Sequence, residues 1–256
     1  SNDYYKIQDA IDNASSGHTL HIWAWTYSEN VIVNQTVTII GNATSNTTLN
    51  ITSGKGFDIS SDDVSISKIL VKGCGSTTGH NAFQVTGDDV TVENVVGKDC
   101  SKGISISGSG AWVGNSTFSN NHNNGAEIWV GDSSTTAVTF YSNYVWWNGN
   151  HGVLASEDDV IIQNNNIRNN TLDGVNCAGS EDSFIENNTI VDNGDDGIEL
   201  ANQCSRVLIK SNDIRENSDR GIFVSGSSSN EGIIESNTII NNTWKGIIIQ
   251  HSDRYY

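Results

Sequence analysis

Seven residues that each stand immediately before a glycine recur along the chain: Lys102, Asn124, His151, Asp173, Asp196, Arg220 and Lys245. Asp195 and Glu199 flank Asp196. If successive members stack at the roughly 5 Å spacing of neighbouring strands, four titratable side-chain types converge on one face. Carboxylates that close repel, which raises one pKa and prepares an acid and a base for glycosidic cleavage. His151, Asp173, Asp195, Asp196 and Arg220 are therefore the candidate catalytic set. A lyase version uses Lys245 or Arg220 as base, with cation-bound carboxylates neutralising a uronate. The plain alternative is that these residues form one exposed column that solvates a tight turn.

Trp129, Trp146 and Trp147, with Tyr141 and Tyr144, fall on neighbouring repeats before the Asp column. Aromatic faces on a shallow surface stack against sugars, so the three Trp residues, Glu199 and Lys245 are the candidate carbohydrate contacts, with core packing as the alternative. Acidic pairs recur at the start of repeats: Asp62-Asp63, Asp88-Asp89, Asp158-Asp159 and Glu181-Asp182. Stacked pairs could hold Ca²⁺, a hard ion that takes oxygen ligands, or simply solvate a turn. No Cys or His spacing matches a zinc or copper site, so no metal ligand set is assigned.

The elements that position these residues follow from a repeat. One block recurs with fixed internal spacing: Asn143-Val145-Asn148-Gly152, Asn165-Ile167-Asn170-Gly174, Asn188-Ile190-Asn193-Gly197, Asn212-Ile214-Asn217-Gly221 and Asn237-Ile239-Asn242-Gly246. Degenerate copies precede it at Asn94-Val96-Asp99-Gly103 and Ser116-Phe118-Asn121-Gly125. The full period is about 22 to 27 residues, and the length variation lies in one corner. Short period-two apolar runs exclude an amphipathic helix, and a Leu-rich framework is missing. The solution is a coil of three short strands, each pairing in parallel with its counterpart one coil away. The fold class is therefore all-β, a right-handed single-stranded parallel β-helix of about eight to ten coils. The second Asn of the block is expected at a turn, stacking its amides and taking the left-handed backbone.

The chain reads as one domain: residues 1–17 as an N-terminal capping helix and turn, 18–60 as opening coils and 61–252 as regular coils. Ile7, Ala10 and Ile11 set the helix within Tyr4 to Asn13. No cap is recognisable after Gln250, so a larger parent protein, a following domain or self-association through an open last coil is expected. Cys74 and Cys100 occupy the same place in consecutive repeats, aligned by Asp62-Asp63-Val64 and Asp88-Asp89-Val90, and are expected to form a disulfide. Cys177 and Cys204 are offset, and their pairing stays open. Thirty Asp and Glu against thirteen Lys and Arg give a formal charge of -17, which disfavours nucleic-acid backbones and anionic membranes. No apolar run is long enough to span a bilayer. Nine Asn-x-Ser/Thr sequons permit surface glycosylation.

Residues Ile7-Gln8-Asp9-Ala10-Ile11, Thr19-Leu20-His21-Ile22, Thr26-Tyr27-Ser28-Glu29-Asn30-Val31 and Val37-Thr38-Ile39-Ile40-Gly41 resemble the opening of pectate-lyase-like β-helix proteins. The resemblance is to the NosD-type and archaeal cell-surface branch, and the Asn-x-Ile-x-x-Asn-x-x-x-Gly-Ile units look like its parallel β-helix repeats. Asn170-Thr171-Leu172-Asp173-Gly174 and Gly194-Asp195-Asp196-Gly197 resemble polygalacturonase motifs, which implies catalytic roles for Asp173, Asp195 and Asp196. Leu172 interrupts the first motif, Arg220 stands where a His is usual, and no Arg-x-Lys follows near Ile248. The sequence therefore points first to an extracellular or cell-surface protein acting as a structural, assembly or carbohydrate-contacting module, with polysaccharide or surface glycan as partner. The alternative is a polysaccharide-degrading hydrolase or lyase that acts on acidic glycans through Asp173, Asp195 and Asp196.

Overall fold

The computed structural model describes residues 3–129, 136–225 and 231–250. The chain winds as a right-handed parallel β-helix whose three sheets each hold ten strands among the described residues. Every coil gives one strand to each sheet. Coil 1 spans 18–33, coil 3 65–85, coil 4 91–106 and coil 5 112–128. Coils 6 to 9 span 139–155, 161–178, 184–201 and 208–224, and coil 10 spans 233–249.

Most strands have only three residues, so alternation decides what each contributes. In the first and second sheets the middle residue points inward, as at Ile162 and Ile167. In the third sheet the outer two point inward and the middle one faces out, as at Val153-Leu154-Ala155. Stacking in register turns these positions into columns, for example Phe140, Ile162, Ile185 and Ile209, all essentially inaccessible. Coil 4 corrects the repeat alignment: Gly97, not Val96, pairs with Phe118. A side chain at Gly97 would meet the Phe118 ring and the Gly103 carbonyl, so the large ring below takes the space.

Two of the three corners are held by buried asparagines. One column runs through Asn143, Asn165, Asn188, Asn212 and Asn237, the other through Asn121, Asn148, Asn170, Asn193, Asn217 and Asn242. The Asn170 side-chain amide donates to Asn193 Oδ1 at 3.0 Å, and its backbone N–H donates to the same oxygen at 3.2 Å. Its second amide hydrogen goes back to the Val145 carbonyl. Each interior amide is thus saturated without water.

The left-handed backbone sits one residue earlier than expected, at Trp147, Asn169, Asp192, Glu216 and Asn241, with φ of 53 to 59°. The ladder Asn must aim its side chain inward, so its outward neighbour makes the bend.

The disulfide Cys74–Cys100 joins coils 3 and 4 across a sequence separation of 26 residues. It continues the second amide column, because Cys100 N–H donates to Asn121 Oδ1 at 3.2 Å. Cys177 and Cys204 are both buried, and the Cys204 thiol donates to the Cys177 carbonyl at 2.9 Å.

The N-terminal helix is Ile7–Asp12, shorter than Tyr4 to Asn13, and buries Ile7 and Ile11 over coil 1. Glu29 caps it by accepting the Ile7 and Gln8 N–H groups at 2.8 and 3.1 Å. The Gln8 side-chain amide accepts from Ile32 N–H at 2.7 Å and donates to Ile32 O at 3.2 Å, standing where a strand would close the third sheet. At the other end, Ile233, Ile240, Ile247 and Ile249 are exposed.

Asn193→Ala removes the acceptor for two buried donors of Asn170 and is expected to destabilise the fold by about 2–5 kcal/mol in urea unfolding. Asp192→Gly, at the exposed left-handed position beside it, is expected to be neutral or stabilising by up to about 1 kcal/mol. Equal losses at both positions would contradict the ladder as the stabilising element. Replacing both Cys74 and Cys100 with Ala should lower stability by about 3–4 kcal/mol, the chain-entropy value for that loop, read in the same assay without reductant.

Candidate functional site

The residues before glycine lie on the corner between the second and third sheets. At Gly174 a built Cβ would meet Ile190 Cγ2 at 2.3 Å and Gly197 O at 2.7 Å, so the backbone presses on the coil below and only glycine fits. The residue before it is left with its side chain running along the stack. Asp173 Oδ1 accepts from Asp196 N–H at 3.0 Å, Asp196 Oδ1 from Arg220 N–H at 2.9 Å, and Asn124 Oδ1 from His151 N–H at 3.2 Å. This is a third ladder, built from side chain to backbone.

That geometry corrects the expectation of an exposed, solvated column. Asp173 and Asp196 are each only 2% exposed, and Asn124 and Lys102 are also buried. Lys102 pairs with Glu127, which also accepts from Asn124 Nδ2 at 2.8 Å. The outward middle residues of the third sheet, Glu127, Asn176, Glu199 and Phe223 among them, lie alongside and shelter the corner.

Coils 6 to 9 concentrate the charge. His151 Nδ1 lies 3.0 Å from Asp173 Oδ2. Asn176 Nδ2 donates to Asp173 Oδ2 and to Glu199 Oε2, both at 2.8 Å. Arg220 Nη1 is 3.4 Å from Asp196 Oδ2 and Nη2 is 2.7 Å from Asp219 Oδ2. The guanidinium stacks 3.7 Å from the Phe223 ring centre and 5.3 Å from that of Trp244. One ligand oxygen from each of Asp173, Asp195 and Asp196 falls within 4.8 Å of the others. A cation there would compete with the His151 and Arg220 contacts.

The acidities diverge. Burial alone would raise the Asp173 carboxyl, but the His151 imidazole, the Asn176 amide and the Asp196 N–H outweigh it and hold it below the usual range. Burial lifts Asp196 to about 7, against the opposing pull of Arg220. Burial, then the charges of Asp173 and Asp219, raises Asp195, and burial with Asp173 raises Glu199. Of the three aspartates Asp195 is the most accessible.

The other candidates fall in different places. Glu199 belongs to the cluster, whereas Lys245 lies in register below Arg220 and is exposed. Trp146 and Trp147 pack with ring centres 4.6 Å apart where coil 6 leaves the second sheet, and Trp147 is exposed. Trp129 is exposed at the far edge of the third sheet, away from the Asp corner. The acidic pairs proposed for Ca²⁺ serve turns: Asp62, Asp88 and Asp158 each accept a backbone N–H from the next coil. Glu181 and Asp182 pair with Arg206. The sequence reading missed Asn176, Asp219, Phe223 and Trp244, and the outward period-two position of the third strands is the signal that marks Asn176 and Phe223.

Residues 128–255 match the family described as the right handed beta helix region. The chain belongs to this β-helix family. No curated protein sequence matches it. Among solved structures it is similar to the A-module of mannuronan C-5 epimerase AlgE4 from Azotobacter vinelandii, at 15% identity and TM-score 0.68, covering 96% of this chain and 94% of that one. It is similar to the periplasmic alginate epimerase AlgG at 16% identity and TM-score 0.67, covering 100% and 83%. Pectate lyase Pel9A aligns at 14% identity and TM-score 0.66, covering 94% and 80%. Identities this low establish a shared coil and nothing of the chemistry.

Asp196, raised on folding, favours the folded state below its unfolded pKa, and that stability is lost as pH rises through about 7. Asp173, lowered on folding, contributes in the opposite sense and loses its share in acid. Unfolding free energy should therefore fall from about pH 4 to about 7 and level off above that in the native chain. Asp196→Asn, which keeps the acceptor for Arg220 N–H, should flatten that slope. An unchanged slope would show that Asp196 is ionised throughout.

Proposed function

We propose that this chain is an extracellular polysaccharide-acting enzyme whose reactive centre is the carboxylate cluster on coils 7 and 8. The observation that carries the reading is the divergence of acidity within one cluster: Asp173 is held ionised, while Asp195 and Asp196 are raised. Asp195, the accessible carboxyl, is the general acid that reaches a glycosidic oxygen. Asp173, oriented by His151 and Asn176, is the ionised partner. Oxygen separations within 4.8 Å are closer to the roughly 5–5.5 Å carboxyl spacing of retaining glycosidases than to the roughly 6.5–9.5 Å of inverting ones. Trp244, whose ring centre is 5.3 Å from the Arg220 guanidinium, is an exposed sugar-stacking surface beside the centre, and Trp147 offers a second on coil 6. Structural neighbours named as an alginate epimerase and a pectate lyase support a glycan as partner. The Cys74–Cys100 disulfide supports an oxidising compartment.

A second reading is a non-catalytic glycan-contacting or assembly module at the cell surface. It is favoured by the 2% exposure of Asp173 and Asp196, each with one oxygen committed to the next coil's backbone.

Incubation with a panel of neutral and acidic polysaccharides separates the two. Under the enzymatic reading, reducing ends or unsaturated uronates appear. Asp195→Asn should then lower kcat about 10²- to 10⁴-fold with little change in unfolding midpoint. Saturable glycan binding with no product, unchanged by Asp195→Asn, would establish the second reading instead.

A further inference from the structure

Coils 4 and 5 carry a lysine, an amide and a carboxylate that the reactive centre of coils 7 and 8 does not use. Lys102 and Asn124 occupy equivalent places on the glycine corner of successive coils and are 9% and 1% exposed. Glu127, three residues after Asn124, meets both. Lys102 Nζ donates to its Oε1, and Asn124 Nδ2 donates to its Oε2 at 2.8 Å. The other polar atom of the amide, Oδ1, accepts from His151 N–H at 3.2 Å.

Each contact matches a requirement of amide exchange. A neutral lysine amine is a nucleophile, and the carboxylate at its tip can take its proton. The same carboxylate holds the Asn124 nitrogen that has to leave. The His151 N–H stands on the oxygen where negative charge develops once Cγ is attacked. Burial keeps water from competing for the amide. The next lysine and asparagine on this corner lack the arrangement. Lys55 is only partly buried and pairs with Asp58 of its own coil, and Asn81 gives its Nδ2 to Gln84.

We propose that Lys102 and Asn124 condense spontaneously into an isopeptide bond, with Glu127 as the proton carrier. Glu127 accepts a proton from Nζ, the Nζ lone pair bonds to Asn124 Cγ, and Glu127 hands a proton to Nδ2 as the Cγ–Nδ2 bond breaks. The amide nitrogen leaves as ammonia, carrying its own two hydrogens and one from Nζ. The bond ties coil 4 to coil 5, directly after the Cys74–Cys100 bridge ties coil 3 to coil 4, and unlike that bridge it resists reductant. It is independent of any reaction at coils 7 and 8.

Intact-mass spectrometry of the unsubstituted chain, denatured and reduced, is expected to give a mass about 17 Da below that of the sequence, the loss of one ammonia. Chymotrypsin cuts after Trp112 and Phe118, which lie between the two residues, and the fragments bearing Lys102 and Asn124 should stay joined. Lys102→Arg should restore the full mass, and Glu127→Gln should slow bond formation at least about 100-fold. An unshifted mass would overturn the proposal, as would equally fast linking in Glu127→Gln. So would the same loss with separate fragments, which marks a succinimide at Asn124-Gly125, or a link from Lys102 to Asn81 or to Glu127. Because the unsubstituted chain alone shows whether the bond exists, a poorly folding variant leaves the test decisive.

Discussion

The stack depends on buried amides that hydrogen-bond only to their equivalents in adjacent coils and to the backbone. A parallel solenoid has to turn three corners per coil, and each corner buries backbone groups that no strand ladder reaches. The two asparagine columns meet that demand at two corners. Asn is suited because its amide has two donors and an acceptor with two lone pairs, all used at Asn148, Asn170 and Asn193. Aspartate at these places would bring stacked charges, and serine is too short to reach two coils. Ser116 shows the limit, receiving Val95 N–H from one side and donating to its own coil's Gly114 carbonyl.

Much of this was legible in the sequence. The fixed spacing of Asn148, Gly152 and their counterparts identified a coil with one variable corner, because the columns repeat residue type as well as polarity. Three things were not legible, each for a physical reason. The left-handed residue varies freely, as Trp147 and Glu216 show, since it faces solvent and carries no type signature. Gly97 hid in an apolar column because the bulk needed there comes from Phe118 in the next coil. The burial of Asp173 and Asp196 was misread because a charged residue beside glycine looks like a surface turn, and only the third dimension supplies His151, Asn176 and Arg220.

The same geometry explains why the carboxylate cluster is chemically polarised. Identical positions on successive coils are held a few ångströms apart whatever residues occupy them, so like charges cannot relax away from one another. They can only change protonation or recruit a partner. Asp173 recruits an imidazole and an amide, whereas burial, with the charges of Asp173 and Asp195 adding to it, lifts Asp196 against the pull of Arg220. The corner where this happens has constant length through coils 5 to 10, so loop variation is kept away from it.

The asparagine columns also give the molecule an electrical direction. In each, Nδ2 points to the following coil and Oδ1 to the preceding one, without alternation. Strand dipoles in a sheet largely cancel, but these amide dipoles add and polarise one another along the axis. The rows start at Cys100 and Ser116, whose N–H groups meet the first amide oxygens. The stack is therefore a polar rod, with its acceptor end beneath the disulfide and its donor end at coil 10.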